Sequence, residues 1–132
     1  MAQKEEQLTT GEQSSVKTIL LVEDDASIGE VLVQAIAQET TYMAFLATDG
    51  LEALHIVKGI KPNLFILDYQ LPHMNGLELY DQLHAIEALR HIPVIMLSAR
   101  LPQKELEKRH IVGMHKPIDL DEFLRLIEEL VV

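Results

Sequence analysis

Residues 64–76 read LFILDYQLPHMNG: an unbroken apolar run over 64–67, a lone aspartate at 68, then a loop punctuated by Pro72 and Gly76. A strand that is apolar at every position is buried on both faces, so this run predicts the central strand of a sheet with helices packed above and below it. Working outward, ILLV at 19–22 runs into Glu23-Asp24-Asp25, PVIML at 93–97 runs into Ser98, and IVGM at 111–114 is followed closely by Lys116-Pro117. Amphipathic stretches separate these runs, and alternation of strand and helix patterns marks βαβ units and a parallel sheet. In an open parallel sheet the carboxyl ends of the strands share one edge. The acids, the lone Asp, the hydroxyl and the lysine therefore converge on one site.

Apolar periodicity predicts strands over 18–22, 42–47, 64–67, 93–97 and 111–114, and helices over 27–38, 51–58, 77–89, 102–109 and 120–131. The first helix is expected to turn Ile28, Val31, Leu32, Ala35 and Ile36 inward, the second Leu51, Leu54 and Ile56 or Val57, and the last Leu120, Phe123, Leu124, Ile127 and Leu130. Asp119 is a good N-cap for the last helix, with Glu122 three residues on. The fold class read from this alternation is α/β: a parallel sheet of five strands flanked by five helices. Pro102 disfavours helix at Leu101 before it, so the fourth helix is expected to be shortened.

A chain of 132 residues is long enough for one core, and residues 18–132 are read as that domain. Residues 1–17 carry few large apolar groups and are expected to form a disordered polar tail. The 48% apolar content lies in the globular range, and no apolar run approaches the roughly 18 residues that span a bilayer. The amino terminus lacks the apolar segment of a secretory signal and there are no cysteines, which points to the cytoplasm. With 21 acidic against 11 basic side chains, the net charge of −10 opposes attraction to nucleic-acid phosphates or anionic lipid. Neither GxxxxGK nor GxGxxG occurs.

Clustered carboxylates repel, so holding Glu23, Asp24 and Asp25 near Asp68 is costly unless a divalent cation neutralises them. Read alone, acids at a helix start simply cap it. Mg²⁺ suits the set, because it accepts one or two carboxylates, keeps several waters and reaches a substrate phosphate. Asp68 ends the most apolar strand, an odd place for an ionised group chosen only for stability, and a carboxylate can attack phosphorus to give an aspartyl phosphate. Gly76 is expected to supply a backbone conformation that other residues resist. Six histidines show no zinc-ligand spacing; His115, beside Lys116, is the one nearest the expected site.

VEDD at 22–25, LDYQLPHMNG at 67–76, IMLSAR at 95–100 and HKPID at 115–119 resemble the receiver domain of two-component response regulators, in the same order, across residues 18–132. The resemblance implies a doubly wound, flavodoxin-like five-stranded sheet in which Asp68 accepts a phosphoryl group from the phosphohistidine of a sensor histidine kinase or histidine phosphotransfer protein. It makes Glu23 and Asp24 the metal acids beside Asp68, with Gln70 lending a backbone carbonyl to the same Mg²⁺. Ser98 would bond one phosphoryl oxygen and Lys116 would face another, as phosphoryl transfer requires positioning and charge neutralisation. It also implies a cis peptide at Lys116–Pro117, where an X-Pro bond by itself favours trans.

The chain departs from the resemblance at Gly113, where receivers usually carry Tyr or Phe three residues before the lysine. A readout without that aromatic is expected, passing through the loop after Ser98 to a downstream effector protein. Two other readings compete with this phosphoacceptor switch. An aspartate-nucleophile phosphatase would place a second Asp where Gln70 stands, and a degenerate receiver would bind partners without being phosphorylated.

Overall fold

The computed structural model describes residues 16–132, so residues 1–15 of the expected tail lie outside the described residues. Five strands, β1 (Thr18–Val22), β2 (Met43–Ala47), β3 (Leu64–Asp68), β4 (Val94–Ser98) and β5 (Val112–His115), alternate with α1 (Ala26–Glu39), α2 (Gly50–Ile56), α3 (Gly76–His84), α4 (Gln103–Arg109) and α5 (Leu120–Leu130). All pairings are parallel, in the order β2-β1-β3-β4-β5. The doubly wound sheet and its five flanking helices are as the sequence predicts, β3 is central, and α4 has only seven residues.

Alternation along the strands divides the core in two. Leu20, Phe65, Leu67 and Met96 pack against Ala53, Leu79, Leu83 and Leu106 of α2, α3 and α4. Ile19, Leu21, Ile66 and Leu97 pack against Leu32 and Ile36 of α1 and Phe123 and Ile127 of α5. Every residue of β3 is buried, which is why its sequence is apolar throughout until Asp68. Asn63 fixes how β1 lies on β3: its side chain accepts from the Thr18 N–H at 2.8 Å while its own N–H donates to the Thr18 carbonyl at 2.7 Å. Register then runs from Ile19 opposite Leu64 to Val22 opposite Leu67, so the chain leaves β1 beside Asp68. Strand order reverses between β1 and β3, and the crevice at their carboxyl ends is where such sheets bind ligands.

Three expectations need correction. Helix α1 is rotated from the predicted face, so that Gly29, Leu32 and Ile36 are buried while Ile28 and Val31 stay 44% and 56% exposed. The cause is close packing on β2, for Leu46 Cδ1 lies 2.6 Å from where a Gly29 Cβ would stand. Leu51 and Leu120, in the first turns of α2 and α5, are likewise exposed. Helix α3 ends at His84 instead of continuing to Leu89: Ile86 is extended, and the Arg90 guanidinium donates to the carbonyls of His84 at 3.1 Å and Ala85 at 3.5 Å, satisfying groups that a helix end leaves open. A short 3₁₀ turn, Glu87–Leu89, completes that connection.

Candidate functional site

Glu23 continues the β1 ladder, donating its N–H to the Ala47 carbonyl at 3.0 Å, which buries its side chain to 1% exposure. Asp24, the next residue, is exposed, and Asp25 is the N-cap of α1, its carboxylate accepting from the Ile28 N–H at 3.2 Å. The capping reading is therefore right for Asp25, whereas Glu23 and Asp24 stand beside Asp68. One carboxylate oxygen from each of Glu23, Asp24 and Asp68 lies within 4.8 Å of the others. Among the described residues this is the cluster of acids and histidines close enough to share an ion.

Asp68 is 3% exposed and held from both sides. Its Oδ1 accepts from the Gln70 N–H at 3.0 Å, and its Oδ2 accepts from Lys116 Nζ at 2.8 Å. Lys116 also reaches Glu23 Oε1 at 3.3 Å, so one ammonium faces two buried carboxylates. The Lys116 N–H donates to the Ser98 carbonyl at 3.0 Å, extending β5 along β4, and the Lys116–Pro117 peptide that follows is cis, as the resemblance implies. Ser98 is buried at the end of β4, with its hydroxyl donating to the Arg100 carbonyl at 3.0 Å and accepting the Arg100 N–H at 3.1 Å. His115 is exposed on the β5 edge and lines a groove with Pro117 and Glu122, apart from the acids.

Burial pushes the Glu23 carboxyl up to about 7 from its usual 4.5; the Asp25 N–H opposes the shift, Asp68 reinforces it and Lys116 opposes it. For Lys116 burial alone would lower the ammonium, yet Asp68 and Glu23 outweigh it and hold the group above its usual value. Three carboxylates against one ammonium leave excess negative charge in a crevice of low dielectric. An all-oxygen donor set of this kind fits a hard divalent cation such as Mg²⁺.

Gly76 serves the site differently from the expectation. No described glycine has a positive φ; the left-handed residue of this loop is His73, at φ 69°. Gly76 is instead a matter of space, because a Cβ there would stand 2.6 Å from the Asp68 carbonyl oxygen and 2.7 Å from Met96 Sδ, while its N–H donates to the Tyr69 carbonyl at 2.8 Å. Gly76→Ala is expected to cost about 2 kcal/mol through overpacking against backbone that cannot yield. Urea denaturation checks this, and an unchanged midpoint would count against the close approach. Sequence reading also passed over Asn75, which caps α3 reciprocally: its side chain accepts from the Glu78 N–H at 2.8 Å and the Glu78 carboxylate accepts from the Asn75 N–H at 2.9 Å. The signal was present as Asn-x-x-Glu at 75–78.

The response regulator receiver domain family matches residues 19–128. The polar-differentiation response regulator DivK of Brucella anthropi is 31% identical over 116 residues, 85% of this chain and 94% of the relative. Among solved structures, the chemotaxis protein CheY4 of Vibrio cholerae has the same fold with a TM-score of 0.81 at 23% identity, over 89% of this chain and 100% of that one. A CheY-like response regulator receiver domain protein from Methanospirillum hungatei gives 0.79 at 26% identity, over 87% of this chain and 93% of that one.

Proposed function

Because the chain belongs to the response regulator receiver domain family, we propose that it is a phosphoacceptor switch in which Asp68 takes a phosphoryl group from the phosphohistidine of a sensor kinase or phosphotransfer protein. The observation that carries this is the Asp68 carboxylate: buried at the end of the central strand, ion-paired to Lys116 at 2.8 Å, and within 4.8 Å of the Glu23 and Asp24 oxygens. In the transfer one Asp68 oxygen attacks phosphorus, the P–N bond to the donor imidazole breaks, and its electron pair returns to the ring nitrogen, which takes up a proton. The product is an acyl phosphate on Asp68.

Each neighbour has a task in that step. The Lys116 ammonium, already beside Asp68 Oδ2, balances charge that spreads over the phosphoryl oxygens. The Gln70 N–H holds the other carboxylate oxygen and so fixes the orientation of the nucleophile. Ser98, at the next strand end, would give a phosphoryl oxygen the hydroxyl proton it now donates to the Arg100 carbonyl. Glu23, Asp24 and Asp68, together with the Gln70 carbonyl, would hold Mg²⁺, which when bound supplies positive charge to carboxylates and phosphoryl group alike. An aspartate-nucleophile phosphatase would need an acid/base where Gln70 stands, and an amide cannot supply one. The modified domain would then signal to a downstream effector protein in the cytoplasm, and no described helix is long and apolar enough to cross a membrane.

Incubation with acetyl phosphate and Mg²⁺, followed by peptide mass mapping, tests the proposal. A single phosphoryl adduct on Asp68 is expected, and none should form when the metal is chelated before the phosphodonor is added. Labelling that ignores the metal, or that falls elsewhere, would defeat it.

A further inference from the structure

Ser98 has one hydroxyl proton, and in this structure it is spent on the Arg100 carbonyl at 3.0 Å, while the Arg100 N–H returns to the same oxygen at 3.1 Å. These two bonds close the loop that leads directly into Leu101. Leu101 is half-buried and lies over β5 at Gly113: its Cδ1 is 2.9 Å, and Leu106 Cδ1 2.8 Å, from where a Gly113 Cβ would stand. The two leucines occupy the volume that any side chain at 113 would need. Since Gly113 has no positive φ, the absence of a side chain, and not backbone freedom, is what this glycine provides.

Helix α4 is held unequally at its two ends. Its first turn is tied to the same loop, with the Gln103 N–H donating to the Leu101 carbonyl at 3.0 Å. Its last turn is anchored to α3, where the Arg109 guanidinium bonds both Asp81 oxygens at 2.9 and 3.0 Å and the Tyr80 hydroxyl donates to the Arg109 carbonyl at 3.2 Å.

We propose that Leu101, seated in the notch over Gly113, reports which partner the Ser98 hydroxyl has chosen. This deepens the phosphoacceptor reading and rests on it. A bond from Ser98 to a phosphoryl oxygen on Asp68 takes the proton away from the Arg100 carbonyl, so the loop loses one of the two bonds that close it. Leu101 then leaves the notch, and the first turn of α4 swings while the Arg109 end stays in place. The signal is thus a packing change of two leucines on a bare stretch of β5, biased by one hydrogen bond between two arrangements of the loop.

The test uses the full chain with ¹³C-labelled leucine methyls, beryllofluoride with Mg²⁺ as the phosphoryl mimic, and acetyl phosphate mass mapping in parallel. Leu101 methyl and Gly113 amide signals are expected to move on adding the mimic, while the Tyr80 and Arg109 amides hold still. Two variants probe the seat without any mimic: Gly113→Ala fills the notch and Leu101→Ala vacates it. Each should speed hydrogen exchange at the Arg100 amide about tenfold, since the loop and the seat stabilise one another. Unmoved Leu101 methyls in protein that does form the Asp68 adduct overturn this inference and leave the phosphoacceptor reading standing. Unchanged Arg100 exchange in a folded variant overturns it as well, and absence of the adduct overturns both.

Discussion

Asp68→Asn is expected to reduce phosphoryl labelling by acetyl phosphate at least about 1000-fold, a rise of about 4 kcal/mol in the barrier, because a neutral amide oxygen is a far poorer nucleophile than a carboxylate. The fold should not pay for the change. Asparagine keeps the size of the side chain and an oxygen able to accept the Gln70 N–H now bonded at 3.0 Å. Lys116 loses its 2.8 Å partner but still faces Glu23 at 3.3 Å. Meanwhile one of three crowded carboxylates disappears, which relieves repulsion on the other two. Urea denaturation in chelator should therefore place Asp68→Asn within about 1 kcal/mol of the unaltered protein. Residual labelling in a variant that folds this well would mean that the acceptor is another residue.

That separation of activity from stability explains which features could be read from sequence. A buried Asp at the end of LFIL at 64–67 is poorly explained by packing, so it stood out; the parallel sheet followed from alternation of strand and helix patterns, and the site followed from the shared edge. What escaped was set by close contacts between segments distant in sequence. Ile28 and Val31 fit an apolar helix face, but Leu46 presses on Gly29 and turns α1 so that both face outward. Gly76 looked like a conformational glycine, yet its cause is the Asp68 carbonyl next to it in space. The end of α3 depended on Arg90 folding back onto two carbonyls, which no local pattern announces. At Gly113 the sequence showed that an aromatic was missing, and only the fold reveals that Leu101 and Leu106 have taken its place.

In metal-free protein, stability should fall as pH rises from about 4.5 to about 7, and Glu23 is the reason. Burial raises its folded-state pKa to about 7, whereas in the unfolded chain the carboxyl titrates near its usual 4.5. Between these values the native protein keeps a proton that the unfolded chain has released. The stabilisation is therefore complete below the lower value, is lost progressively through the window, and is gone above the upper one. The sign is opposite to that of the usual salt-bridged carboxylate, and the span corresponds to about 3 kcal/mol, or about 10 °C in thermal midpoint for a domain of this size. Asp81, lowered by its hydrogen bond to Arg109, acts on the acid side of this window, and Lys116, held up against burial by Asp68 and Glu23, acts on the alkaline side. Glu23→Gln should remove this part of the slope, so the difference between the two proteins isolates one carboxyl. Adding Mg²⁺ at pH 8 should restore the lost midpoint in the unaltered protein, because the ion binds the native cluster and not the dispersed acids of the unfolded chain. A midpoint in chelator that tracks Glu23→Gln across the whole window would show that Glu23 is ionised throughout, with Lys116 alone sufficient to hold both buried carboxylates.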